Sequence, residues 1–311
     1  MSKIVLFDPN CYKFTDDMVE HWEKSGHEVK KSLYYDPALV QWADIIWFET
    51  CDNNLAQATK LGEHGWKFSE MDMTNKKVIC RVIDIEAWCG LQNNVDWTYV
   101  DETIFIAPHI RDLVLRDVDI KSHYLIPCGV NENIYNFVDK PKGKNVAWVS
   151  ERWYAKGVDL FFQYAAMLYK EDPEYKVYAV GIWADSCRDS WYKAYIDHFI
   201  RENPMNVEFI DRVDNMNDFL DNMDYAICFS KKEAFSYAIA EGMCKGCKPI
   251  IHNFYGCGWL WDKKYIWNTL DEALVMTLNN EYNRNEYREY VVDNYSLEKM
   301  LSSFDELIEK R

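Results

Sequence analysis

The chain has 311 residues, 49% of them hydrophobic and 16% aromatic. That is more than one hydrophobic core usually serves, so two domains of roughly 150 residues are expected. Its formal net charge is −16 and neither half is basic: residues 1–145 hold 16 Lys+Arg against 23 Asp+Glu, and the remainder 19 against 28. This balance speaks against a broad nucleic-acid or anionic-membrane footprint, and no apolar run approaches the roughly 18 residues of a membrane span.

In chain order, Met1-Ser2 runs straight into a strand candidate at Lys3–Phe7, with no signal peptide ahead of it. The ten cysteines, many inside apolar segments (Cys80, Cys128, Cys228), therefore read as reduced thiols of a cytoplasmic protein. Residues 15–25 are helical in pattern, with Thr15 as cap and Asp16 and Asp17 in the first turn. Further strands are expected at 27–30, Ile45–Phe48, Lys77–Val82, 103–107 and 124–126, with helical stretches between them. The polar run 139–144 (DKPKGK) reads as a linker. A second series of strands follows at Asn145–Val149, Lys176–Val180, Val207–Ile210, 225–229 and Lys248–His252, alternating with helices that begin near Val158, Asp189, Met216, Ser236 and Thr269. Residues 296–310 form an amphipathic helix with Leu297, Met300, Leu301, Phe304 and Leu307 on one face.

Strand–helix alternation in two series predicts an α/β protein of two doubly wound, Rossmann-like parallel sheets, with ligands at the carboxyl ends of the strands. The expected division is 1–140, 145–294 and a terminal helix 295–311 packing back on the first domain. Thirteen Trp and 21 Tyr exceed core needs; such rings often line carbohydrate sites, though packing is the simpler reading. Cys244-Lys-Gly-Cys247, with Cys257 nearby, lacks a second CxxC or a His pair and so does not read as a zinc site.

Two segments of the second series carry chemistry. Ser150-Glu151-Arg152-Trp153-Tyr154-Ala155-Lys156-Gly157 leaves a strand end with a guanidinium and an ammonium that together could neutralise a diphosphate. Gly157 would let the next helix start close to the ligand. In Ser230-Lys-Lys-Glu233-Ala-Phe235-Ser236-Tyr237-Ala-Ile-Ala-Glu241 a buried strand ends in a polar turn and a helix opens, where backbone N–H groups make an anion site. Glu233 on the turn suits the hydroxyls of a sugar, and Glu241 further along suits a ribose diol. No G-x-G-x-x-G follows any strand, which argues against a dinucleotide oxidoreductase.

The stretch SKKEAFSYAIAEGMCKGCKPII resembles the E-x7-E motif of retaining GT-B glycosyltransferases, particularly glycosyltransferase family 4. Ser150–Gly157 resembles the family's G-R-L-x-x-x-K-G segment, and Ile126-Pro-Cys-Gly-Val-Asn resembles its I-P-N-G-V-D segment. Residues 206–230 and Tyr295-Ser-Leu-Glu298 follow the same order of motifs, so the likeness covers residues 100–311 well and 1–100 in outline. The resemblance implies transfer of a hexosyl group from a nucleoside-diphosphate sugar, UDP foremost, to a hydroxyl of a glycan, lipid-linked or small-molecule acceptor, with retention and no metal or other cofactor. It implies that Arg152 and Lys156 bind the diphosphate, with Ser150, Gly157 and Ser230 lining the site. Glu233 would contact the transferred sugar, backbone groups of Phe235, Ser236 and Tyr237 the distal phosphate, and Glu241 the ribose. Ser236 stands where the family usually has Gly, Gly242 where it has Ala, one residue is inserted near Cys247, and the first strand ends in Phe7-Asp8-Pro9-Asn10 rather than a Gly-rich turn.

On the acceptor side, Asp84, Glu86 and His109 follow strands and are candidate bases, as is Glu49, each with a polar cap as the simpler role. The leaving phosphate itself could take the acceptor proton. Asp117-Val-Asp119 has DxD form without the strand context of a metal–nucleotide site. Other readings remain: a GT-B epimerase; an inverting DNA-base glycosyltransferase, whose DNA acceptor the acidity of both halves disfavours; and a non-catalytic sugar-nucleotide-binding protein, which the joint presence of Arg152, Lys156, Glu233 and Glu241 disfavours.

Overall fold

The computed structural model describes residues 1–9, 15–188 and 190–310. Asn10 and Asp189, the latter an expected helix start, lie outside the described residues. The chain divides into two compact units, residues 1–128 with 298–311, and residues 129–297.

The first unit holds a six-stranded parallel sheet: β1 (Lys3–Phe7), β2 (Glu28–Ser32), β3 (Ile45–Phe48), β4 (Lys77–Val82), β5 (Glu102–Phe105) and β6 (His123–Leu125), in the order β2-β1-β3-β4-β5-β6. The second holds β7 (Asn145–Val149), β8 (Lys176–Val180), β9 (Val207–Ile210), β10 (Tyr225–Cys228), β11 (Lys248–His252) and β12 (Ile266–Trp267), also parallel, in the order β12-β11-β10-β7-β8-β9. Central strands such as β3 (IIWF) and β10 (YAIC) are buried at every position because helices cover both faces of a parallel sheet. The two-residue β12 is too short to leave a period in the sequence.

The strand order of the second unit reverses direction between β7 and β10, which pair through Val146 with Tyr225 and Ala147 with Ala226. Crevices at the carboxyl ends of strands flanking such a reversal are where open α/β sheets bind ligands. Beneath it lies a rigid core. The helix Val158–Glu171 buries Val158, Phe161, Phe162, Tyr164, Ala165 and Leu168 at helical spacing. Phe161 stacks on Trp148 of β7 with ring centroids 4.1 Å apart and meets Phe229 edge-on at 5.7 Å, contacts worth about 1 kcal/mol each beyond area burial.

Two expectations are corrected. Residues 129–138 go with the second unit, because Leu297 N–H donates to the Val130 carbonyl (2.9 Å), Arg284 Nε to that of Val138 (2.8 Å) and Arg288 Nη1 to that of Tyr135 (3.0 Å). Thr15 precedes the helix Asp16–Lys24 without a side-chain cap bond; its hydroxyl instead donates to Asp8 at 2.7 Å. The aromatics divide: Trp22, Trp47, Trp148 and Trp267 are core, whereas Trp191 and Trp259 are exposed. The terminal helix Leu297–Glu309 groups with the first unit, where Phe304 meets Trp47 edge-on at 5.0 Å and Lys77 Nζ reaches the Leu307 carbonyl at 2.5 Å.

Candidate active site at a strand-order reversal

The loops leaving β7 and β10 are locked together. Lys231 N–H donates to the Ala155 carbonyl at 2.8 Å. Gly157 adopts φ +70° and comes so close to β10 that a Cβ there would lie 2.0 Å from the Phe229 carbonyl oxygen. The glycine is thus required by a strand-to-loop contact rather than by room for a ligand. This lock brings Lys156 to Glu233: Nζ lies 2.7 Å from Oε1, and the Ser230 hydroxyl donates to the same oxygen at 2.8 Å. The side chains of Lys156 and Glu233 keep 25% and 13% exposure, so the pair is half-buried and reachable. An ammonium beside a carboxylate at a loop rim can serve a polyhydroxylated, phosphorylated ligand with both signs of charge.

The helix Tyr237–Cys244 opens directly behind the turn with Ser236 at its N-cap position and no side-chain cap bond. Phe235 anchors that opening by stacking on Trp261 (5.6 Å, 29°) and meeting Tyr295 edge-on. Gly242 has a packing reason: a Cβ there would sit 2.6 Å from that of Ala226 on β10.

Residues 130–264 match the sequence model of the family Glycosyl transferases group 1. That segment, less than half of the chain, is similar to a glycosyltransferase group 1 domain. No curated protein matches the chain significantly in sequence. Among solved structures, HepE of Anabaena in complex with UDP-glucose is 12% identical, with a TM-score of 0.75 and 99% of each chain covered. Sucrose-phosphate synthase from Thermosynechococcus elongatus is 14% identical, with a TM-score of 0.70 over 99% of this chain and 98% of its own. TarM of S. aureus, with UDP bound, is 16% identical at a TM-score of 0.66 over 86% of this chain; the chain spans 55% of TarM's length. The fold is of the GT-B type.

Within the matched segment Arg152 and Glu241, two expected ligand residues, have protein partners of their own. Arg152, only 5% exposed, turns towards β8 and β9. Its Nη2 donates to the Ala179 carbonyl (3.2 Å), Nη1 lies 3.3 Å from Asp211, and the guanidinium covers the Phe209 ring at 5.2 Å. Burial pushes its pKa below the usual arginine value. Glu241 is hydrogen-bonded by the Tyr135 hydroxyl; burial, then the charge of Glu241, pushes that phenol up. Ser150 donates its N–H to the Val180 carbonyl at 2.8 Å, continuing the sheet. The Cys247 thiol donates to the Met223 carbonyl at 3.2 Å, and burial pushes both it and Cys244 up to about 12.

In the first unit three of the acceptor-side candidates, Glu49, Glu86 and His109, are buried. Glu49 is 2% exposed, with Arg81 Nη1 at 2.5 Å and the Trp47 indole N–H at 2.9 Å. Glu86, also 2% exposed, accepts the backbone N–H groups of Ile83 (2.5 Å) and Asp84 (3.1 Å). His109 is fully buried in the helix Pro108–Leu115. Asp84 is half-buried at the N-terminal end of the turn Ile85–Trp88. Asp117 accepts from Gln92 at 2.9 Å in the irregular segment after that helix.

Sequence reasoning missed Tyr135, Asp211 and His252. Asp211 directly follows β9 and His252 ends β11, so position at a strand end was the available signal; Tyr135 had none.

Proposed function

We propose that the chain transfers a hexosyl group from a nucleoside-diphosphate sugar, UDP-sugar foremost, to a hydroxyl acceptor, with retention of configuration and without a metal ion. The observation that carries this reading is the Lys156–Glu233–Ser230 cluster at the strand-order reversal, beside the opening of the helix Tyr237–Cys244. HepE binds UDP-glucose and TarM binds UDP, which favours uridine as the nucleotide.

In this mechanism Lys156 and the helix amides take up the charge that develops on the departing diphosphate. Glu233, its charge balanced by Lys156, accepts hydrogen bonds from the donor sugar. Arg152 joins as a second cation by leaving Asp211, and Glu241 receives the ribose by exchanging the Tyr135 hydroxyl. With Glu49 and Glu86 committed to internal bonds, the leaving phosphate takes the acceptor proton on the face it vacates. The buried thiols suit a reducing compartment, hence the cytoplasm. No helix among the described residues is long and apolar enough to cross a membrane.

A thermal-shift panel of nucleotide sugars tests this. A true donor at 100-fold excess over Kd stabilises the fold by about 2.7 kcal/mol, and its turnover in excess EDTA, followed by NMR of the anomeric proton, gives a product with the donor's configuration. A panel in which no nucleotide sugar stabilises the chain overturns the proposal.

A further inference from the structure

We propose that His252 is a positioning residue that fixes the Ser230–Glu233 turn through the Ser230 carbonyl, and so sets where the Glu233 carboxylate stands. The inference rests on the glycosyl-transfer reading above. His252 is the last residue of β11, whose neighbour in the sheet is β10, with Ile251 opposite Cys228. This register carries the imidazole past the end of β10 to the turn, where Nδ1 lies 2.9 Å from the Ser230 carbonyl oxygen.

A carbonyl oxygen only accepts, so Nδ1 carries the proton and donates, which leaves the lone pair of the neutral ring on Nε2. Burial, the largest influence, lowers the pKa of this imidazole below 6.5, and the neutral ring with this tautomer therefore prevails at pH 7. The ring lies against Trp267 at 4.6 Å, and Trp267 is 1% exposed in the core of the unit. A side chain braced by a core indole can hold a bond direction that a free rotamer cannot.

The consequence runs along the turn. Ser230 is 2% exposed. Its carbonyl is held from β11 by His252 while its hydroxyl donates to Glu233 Oε1 at 2.8 Å, the oxygen that Lys156 also reaches. From the other side the loop after β7 holds the turn through Ala155 and Lys231 N–H. Removing the imidazole leaves Lys156 and Ser230 as partners of Glu233 but frees the tether that holds the turn from β11. Misplacing a reacting constellation by about 1 Å costs on the order of 100-fold in rate.

The test is a series at one position, read as kcat and donor KM on the donor found by the panel. Asn presents a side-chain N–H close to where Nδ1–H stands; Phe keeps the ring on Trp267 without a donor; Ala keeps neither. The expected result is that His252→Phe and His252→Ala lower kcat by about 10- to 100-fold. His252→Asn should stay within about threefold of the wild type, with KM for the donor little changed throughout. A Phe variant as fast as the wild type overturns the proposal, since packing alone would then suffice; so does an Asn variant as slow as Ala. Should Phe unsettle the fold, as shown by its melting midpoint, Asn against Ala carries the test, and equal rates overturn the proposal. A wild-type chain that neither binds nor turns over any nucleotide sugar removes the glycosyl-transfer reading and this proposal together. Wild-type turnover with an unaffected variant series removes this proposal alone.

Discussion

The two sheets use the same topological feature in opposite ways. Each reverses its strand order once, between β1 and β3 in the first unit and between β7 and β10 in the second. Both reversals place charged groups at strand ends. In the first, Asp8 and Glu49 are 4% and 2% exposed and are consumed internally, by Thr15 and by Arg81 with Trp47. In the second, Glu233 keeps 13% of its side chain exposed and shares one oxygen with a lysine that is 25% exposed. The residue types barely differ. What differs is the partner: a buried guanidinium and an indole N–H saturate Glu49, whereas a rim ammonium on a flexible stem can re-aim at a ligand.

The comparison can be broken most decisively at Arg81. Arg81→Ala strands the Glu49 carboxylate in the core, at a cost of about 3–5 kcal/mol. The denaturant midpoint should collapse accordingly, and Arg81→Met combined with Glu49→Gln should recover much of it. A midpoint unchanged in Arg81→Ala would mean that Glu49 reaches solvent and is available as a base. The next effect belongs to the second reversal. Glu233→Ala and Lys156→Ala should each lower turnover by about 100-fold, roughly 3 kcal/mol of barrier. Their fold stability should move by no more than about 1 kcal/mol, as for a partly exposed pair. Wild-type rates in both variants would sink the assignment, and a large stability loss in either would make this reversal resemble the first.

The distribution of these partners was only partly legible in the sequence. Alternating apolar runs and amphipathic stretches foretell two parallel sheets, because burial on both faces leaves unbroken runs such as IIWF and YAIC. The spacing of Lys156, Ser230 and Glu233 places all three on loops after neighbouring strands, although which strands are neighbours is a matter of topology that local pattern does not carry. Arg152 shows the limit most clearly. It follows β7 as expected, but its direction is decided by Phe209 and Asp211, more than fifty residues away, and by a backbone carbonyl of β8. Glu241 is similar: its partner Tyr135 comes from a segment that reads as the close of the first domain and packs with the second. Long-range pairing of this kind has no sequence period.

The smallest expected effect concerns Glu86 and sharpens the comparison through pH. Two backbone N–H groups favour its ionised form, but burial outweighs them and raises its pKa above the ordinary 4.5. The folded chain then holds this proton to higher pH than the unfolded chain does. The unfolded state gives its proton up first, so the contribution of Glu86 to stability is fully present below about pH 4.5 and is lost as pH rises through the folded value. Glu86→Gln removes the titration. Urea midpoints of wild type and variant, compared between about pH 4 and pH 7, should therefore drift apart, with the wild type losing ground as pH increases. The opposite drift, with the wild type gaining ground, would mean that the Ile83 and Asp84 amides win over burial. Glu86 would then be an ionised carboxylate at a strand end, and the first unit would hold a base of the kind its other strand-end acids have given up.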